Sequence, residues 1–227
     1  MNASKPGERY LTFAEIKKID SIFKENLLEF DPDLKSLLML CLYTCGQRPF
    51  ELAHSQKSFY DTENNKLTIA KEFTKMNRNN VVYICDSAKK ILNEQALRYP
   101  DSDFFFPNKN YEKQLKIYNS QIKADALKRA LKPTVELSSF YWSAPVNSFA
   151  KKHVESVFSL RDIRRTFKTL SGMLHFTENE KEIINQHANS SIGKKHYDRY
   201  DYIIEKKRGN VEMGKSVTDS TIKKWAK

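Results

Sequence analysis

The sequence predicts an α+β domain that is mostly helical, with a small antiparallel β-sheet or hairpin set among the helices. Two kinds of signal lead there. Helix starts recur at Thr12-Phe13-Ala14-Glu15, Asp31-Pro32 and Thr177-Glu178-Asn179-Glu180, and between them lie two short β-like runs, Lys66-Leu67-Thr68-Ile69 and Val81-Val82-Tyr83-Ile84. A third observation bounds the size. A chain of 227 residues, 40% hydrophobic and 12% aromatic, can bury one sizeable core or two small ones, and one compact domain over 1–227 is expected.

Thr12–Glu15 reads as a capping box, in which the Thr12 hydroxyl and the Glu15 carboxylate take up free amides at the start of a helix running to about Glu25. Asp31 then supplies an N-cap and Pro32 a pre-set first turn for Leu34 to about Thr44, a helix apolar on nearly every side and therefore central, with Gly46 placed to end it. The two β-like runs, joined through Thr74-Lys75-Met76-Asn77-Arg78-Asn79-Asn80, predict an antiparallel hairpin, or two strands of a small sheet, with a basic tip. Asp86 is expected to cap a helix to about Tyr99, and Phe104-Phe105-Phe106 before Pro107 to form a short buried strand or turn. From about Lys109 to Leu137 the chain is polar, Lys-rich and poorly periodic, which predicts a loop with a helix near Ile122 to Ala130. Further helices are expected over Val146 to about Lys152, Asp162 to about Met173, and from the Thr177 box to about Gln186. The tail, about 203–227, is expected to pack on its own core or on a neighbouring copy.

Lys+Arg number 39 against 28 Asp+Glu, a net charge of +11 that suits a polyanionic partner, because each phosphate neutralised releases counterions. A membrane surface attracts the same charge. However, the N-terminus has no apolar signal region and the longest apolar stretch, Leu37 to Tyr43, is far too short to span a bilayer. No membrane role and a cytoplasmic location are expected. Cys41, Cys45 and Cys85 lack metal-ligand spacing and read as reduced core thiols. Asp31 with Asp33, and Asp101 with Asp103, read as caps and turns, so neither a metal nor a cofactor is expected. His54, His153 and His175 read as surface or core residues, and Tyr141-Trp142 as packing or a base-stacking platform.

Cleaving DNA without a metal requires positive groups around the phosphate, an acid for the departing oxygen and a nucleophile. The chain offers such residues in order. Gly46-Gln47-Arg48-Pro49-Phe50-Glu51-Leu52 is a turn into a helix that points a guanidinium outward, with Glu51 one turn on and able to hold it. In Arg161-Asp162-Ile163-Arg164-Arg165-Thr166, residues 161 and 164 share one helix face. His187 follows an apolar-periodic helix, and Tyr197 comes ten positions later.

Taken together, these segments resemble the tyrosine recombinases, the phage-integrase family, from Arg9 to Trp225. The family's Gly-x-Arg-x-x-Glu-Leu is matched by Gly46, Arg48, Glu51 and Leu52. Its Thr-Lys hairpin before a short basic turn is matched by Thr74-Lys75, with Val82-Tyr83-Ile84 following. The box usually written His-Asp-Leu-Arg-Arg-Thr-Phe appears as Arg161-Asp162-Ile163-Arg164-Arg165-Thr166-Phe167, and the closing His and Tyr as His187 and Tyr197. The tail from Tyr197 looks like that of prophage and genomic-island integrases.

The resemblance implies the catalytic domain of a site-specific DNA recombinase that integrates or excises a mobile element through a 3′-phosphotyrosine intermediate. Arg48 and Arg164 would clamp the phosphate, and Lys75, in preference to Lys71, would protonate the departing 5′ oxygen. His187 would bond the phosphate or place the tyrosine, Tyr197 would attack, Glu51 would support Arg48, and Arg78 and Arg165 would touch DNA. The implied partner is double-stranded attachment-site DNA, held by a tetramer, with a monomer or weak oligomer when free. Such integrases usually carry an N-terminal DNA-clamping domain, expected here to be absent. A fragment of that kind would bind DNA weakly and salt-sensitively.

One residue departs from the pattern. Arg161 stands where a histidine is usual, and a guanidinium stays protonated at neutral pH, so it would contact phosphate rather than accept a proton. The rival reading is therefore a non-catalytic DNA-binding protein with a decayed recombinase fold. A metal-dependent nuclease lacks its carboxylate cluster, and a type IB topoisomerase would differ only in not joining a partner strand.

Overall fold

The computed structural model describes residues 9–25, 30–123, 142–154, 157–185 and 206–211. Helices α1 (Phe13–Lys24), α2 (Pro32–Tyr43) and α3 (Pro49–Ala53) lead into strands β1 (Tyr60–Asp61), β2 (Lys66–Ile69) and β3 (Asn80–Tyr83); α4 (Asp86–Arg98), α5 (Tyr111–Lys123), α6 (Ser143–His153), α7 (Leu160–Met173) and α8 (Glu178–Ile184) follow. The mostly helical α+β class is as expected, but the hairpin carries a third strand. The sheet runs β1-β2-β3, antiparallel throughout, with Lys66 opposite Tyr83 and Ile69 opposite Asn80.

Both capping boxes form as the sequence indicated: Thr12 with Glu15, and Thr177 with Glu180. A third, at Ser159, starts α7 earlier than Asp162, because the Asp162 carboxylate reaches back to both the Ser159 amide and hydroxyl at 2.8 Å. Asp86, expected as a cap, lies instead in the first turn of α4, where its charge still favours the helix N-terminus. The cap position falls to Cys85, whose buried Sγ points at the Tyr43 carbonyl. The segment read as a loop from about Lys109 forms α5, earlier than the helix placed near Ile122 to Ala130; residues 124–141 lie outside the described residues. Tyr111, Gln114, Leu115 and Tyr118 form its half-buried stripe, a helical spacing obscured by the charged residues between them.

Helix α2 is central: from Ser36 to Tyr43 every residue is buried. Around it pack α1, the sheet, α4, Phe105 and Phe106, α6 and the Ile163–Leu170 side of α7, forming one core. Trp142 and the three cysteines are interior, and burial pushes the Cys41, Cys45 and Cys85 thiols up. A second, smaller cluster of Cys45, Phe167, Phe176 and Ile184 fixes α8 against α7 and the turn after α2. The helical segment 206–211 lies along the free edge of β3. Lys206 Nζ donates to the Val81 carbonyl at 2.6 Å and the Asn210 amide donates to that of Tyr83. The match is geometric: four helical residues rise about 6 Å, close to the roughly 6.6 Å that separates alternate carbonyls on a strand.

Asp33 ties the start of α2 to the end of α4 and to Lys109. Its buried carboxylate accepts from Gln95 Nε2 at 3.3 Å, Arg98 Nη1 at 3.1 Å, Tyr99 Oη at 2.5 Å and Lys109 Nζ at 2.6 Å. Burial alone would raise its pKa, but the bonds from Lys109 and Tyr99 and the charge of Lys109 outweigh burial and hold it below the ordinary carboxylate value. Asp33→Asn should therefore destabilise the fold by about 3 kcal/mol at neutral pH, measured by urea unfolding. Because the folded-state pKa is depressed, that difference should be full above the unfolded value of about 3.9 and vanish as pH falls through the folded one.

Candidate active site

The site begins where α2 stops. Thr44 closes the helix, Cys45 and Gly46 both take left-handed backbone angles (φ 58° and 69°), and the Gly46 amide returns to the Cys41 carbonyl at 2.8 Å. Gly46 is also required by space. A Cβ there would lie 2.6 Å from Arg164 Cα and 3.0 Å from the Ile163 carbonyl oxygen, so the backbones of this turn and of α7 touch. The glycine thereby brings the two arginine motifs together.

Pro49 opens α3 three residues after Gly46, and Arg48, in the N-cap position, donates from Nη1 to Glu51 Oε1 at 2.8 Å. Glu51 is 1% exposed and serves three donors: Oε1 also accepts the Lys75 amide at 3.4 Å, and Oε2 accepts Asn80 Nδ2 at 3.0 Å. The same Nδ2 reaches Gln47 Oε1 at 3.1 Å, and Gln47 Nε2 donates to the Ile184 carbonyl at 2.7 Å. One buried polar network thus joins α3, the β2–β3 hairpin and the end of α8.

Arg164 enters from α7. Its Nη1 donates to the Gly46 carbonyl at 3.3 Å and its Nη2 to that of Asn185, the residue closing α8. Its pKa is pushed down to about 10, first by burial and then by the nearby Arg48 charge, against the pull of Glu51 and Glu182. It stays protonated at neutral pH. Two guanidiniums near enough to repel, each using only part of its five donors among the described residues, suit a doubly coordinated anion.

The hairpin completes what is described. Lys75 is exposed, with its backbone tied to Glu51, whereas Lys71, also exposed, has its amide bonded to Asn79 Oδ1 at 3.0 Å. Arg78 lies exposed on the same tip. Arg165 is half-buried and paired with Asp162, and Arg161 is exposed without an ion pair among the described residues. So Arg48, Glu51, Arg164 and the base of the Lys75 hairpin are brought together, while Arg161 does not share the burial of Arg164. His187 and Tyr197 lie outside the described residues. His54, read as surface or core, is buried between Phe50 and Phe73, with ring centroids 3.9 and 4.9 Å away. Sequence reasoning missed Gln47 and Asn80. For Asn80 a signal existed, since it falls on the same face of its strand as the buried Val82.

The fold that presents this site is that of the tyrosine recombinases. Among solved structures, the integrase from mycobacterium phage Brujita is 13% identical, with a TM-score of 0.63 over 93% of this chain and 60% of its own. XerA recombinase is 13% identical, with a TM-score of 0.57 over 98% of this chain and 67% of its own. The XerH site-specific recombinase, bound to a palindromic difH substrate, is 18% identical, with a TM-score of 0.54 over 83% of this chain and 49% of its own. The chain spans about half to two thirds of the length of these proteins. No protein-family model and no curated protein matches the sequence.

The close approach at Gly46 sets a test of the geometry. Gly46→Ala should cost about 2–4 kcal/mol in urea unfolding, from a positive-φ alanine and a clash with the α7 backbone together. An unchanged unfolding midpoint would mean that the two motifs do not meet as described.

Proposed function

We propose that this chain is the catalytic domain of a site-specific DNA recombinase that cleaves and rejoins strands without a metal, integrating or excising a mobile element. The observation that carries the reading is the convergence of Arg48 and Arg164, one held by Glu51 and the other by two backbone carbonyls, beside a lysine-bearing hairpin. The net charge of +11 and the neighbours' DNA-bound forms add support.

In this reading the arginines take the two non-bridging oxygens of one phosphate and stabilise the charge that grows on them in the five-coordinate transition state. Tyr197 attacks phosphorus through its hydroxyl oxygen, its proton passing to water, His187 or the phosphate, and the bond from phosphorus to the 5′ oxygen breaks as that oxygen takes a proton from Lys75. The products are a 3′-phosphotyrosine and a free 5′ hydroxyl. His187 bonds the phosphate or positions Tyr197, and Arg161 and Arg78 add phosphate contacts. Reversal by a partner strand's hydroxyl exchanges strands within a tetramer assembled on double-stranded attachment sites.

A second reading is favoured by Arg161 alone. This exposed guanidinium cannot take a proton from Tyr197 at neutral pH, so a DNA-binding protein that has lost cleavage would carry the same fold.

Mixing the chain with nicked DNA of its own element in EDTA and then denaturing separates the two. The recombinase reading expects a covalent protein–DNA band that Tyr197→Phe abolishes; DNA binding with no band in any sample favours the decayed protein. Where the band forms, Arg48→Ala and Arg164→Ala should each lower its rate of formation by on the order of 10³-fold, as loss of an oxyanion-stabilising donor does. Binding of intact duplex by the two variants, read by titration at fixed salt, should fall far less.

A further inference from the structure

The proposed mechanism needs the Lys75 ammonium beside the departing oxygen, yet Lys75 stands on an exposed tip. What holds that tip is visible in its hydrogen bonds. Thr74 is buried, and its hydroxyl serves the Lys71 carbonyl at 3.1 Å, the Arg78 carbonyl at 2.7 Å and the Arg78 amide at 3.2 Å, so the turn from Lys71 to Arg78 is one wound unit. That unit reaches the arginine site at two points. One is the Lys75 amide on Glu51, a long contact of 3.4 Å. The other is Asn80, the residue at which the tip rejoins the sheet opposite Ile69.

Asn80 is 0% exposed, and its Nδ2 lies 3.0 Å from Glu51 Oε2 and 3.1 Å from Gln47 Oε1. Gln47, 2% exposed, is itself fixed by its 2.7 Å bond to the Ile184 carbonyl. The position is a poor one for an asparagine on structural grounds. Asn80 opens β3 on the same face as the buried Val82, where a β-branched apolar residue would also pack, and its Oδ1 is buried with no partner among the described residues. Among the described residues that oxygen goes unpaired, and what the side chain gains among them is the pair of bonds made by its amide nitrogen.

We propose that Asn80, locked by Gln47, is the positioning residue for Lys75: it fixes the base of the hairpin to the carboxylate that holds Arg48, so that the proton donor and the phosphate clamp keep one geometry. The inference rests on the reading of Lys75 as the acid for the 5′ oxygen. Gln47 also carries the constraint to Ile184, so the hairpin, the arginines and the end of the helix that leads toward His187 share one frame. Neither Gln47 nor Asn80 touches the reacting atoms in this scheme.

The test uses leaving-group chemistry. Replacing the scissile 5′ oxygen by sulfur removes the need for an acid, because a thiol has a pKa of about 8.5 where water's is nearly 16. Single-turnover formation of the covalent complex is measured for the full chain on both substrates. Asn80→Val, close in volume and suited to a strand, should slow cleavage of the oxygen substrate by about 10–100-fold and that of the sulfur substrate by no more than about 3-fold, with DNA affinity unchanged. Gln47→Met keeps the Asn80–Glu51 bond and should shift both rates in the same sense by less; it serves as the readout if Asn80→Val does not fold. Equal slowing on the two substrates, or none on the oxygen substrate, overturns the inference alone. Absence of a covalent complex from the unaltered chain overturns the proposed function and this inference with it.

Discussion

The arrangement depends on one buried carboxylate. Glu51 has almost no contact with water, and an ionised carboxylate in such a place is tolerable only when its oxygens are bonded and its charge is matched. Arg48 supplies the charge; Asn80 and the Lys75 amide supply the remaining donors. Because those partners come from α3 and from the hairpin, satisfying the carboxylate fixes their relative position. The constraint runs outward as well, through Gln47 to the end of α8.

Charge accounts for the other half. Arg164 is held by the carbonyls of Gly46 and Asn185, which are partial charges, and the Arg48 guanidinium repels it while Glu51 and Glu182 offset part of that repulsion. The depressed Arg164 pKa records burial together with that repulsion. An anion between the guanidiniums would relieve it, and the backbone contact at Gly46 keeps them from moving apart. The fold invests in holding like charges together, and this is the physical ground for reading the site as one for a phosphate.

Much of this was legible in the sequence. The capping signals at Thr12 and Thr177 and the uniformly apolar α2 are local, and they emerged as read. The arginine motifs were legible as motifs because each is contiguous. What was hidden depends on distant contacts. Nothing local shows that Gly46 meets the α7 backbone across 118 residues, or that Gln47 reaches Ile184. The start of helix α5 reads as loop in the sequence because its half-buried stripe is thin and charged residues surround it. Asp86 yielded the cap position to Cys85, which is buried with its Sγ against the Tyr43 carbonyl, a contact 42 residues away in sequence.

Arg48 and Arg164 are proposed to neutralise the charge of a single phosphate. Replacing one non-bridging oxygen of the scissile phosphate with a methyl group, which removes that charge, tests this most directly. Covalent-complex formation is then compared for the unaltered chain, Arg48→Ala and Arg164→Ala on the charged and neutral substrates. The account predicts that at least one arginine variant loses much less activity on the neutral substrate than on the charged one, because the charge it served is gone. Equal losses on both substrates, for both variants, would contradict it.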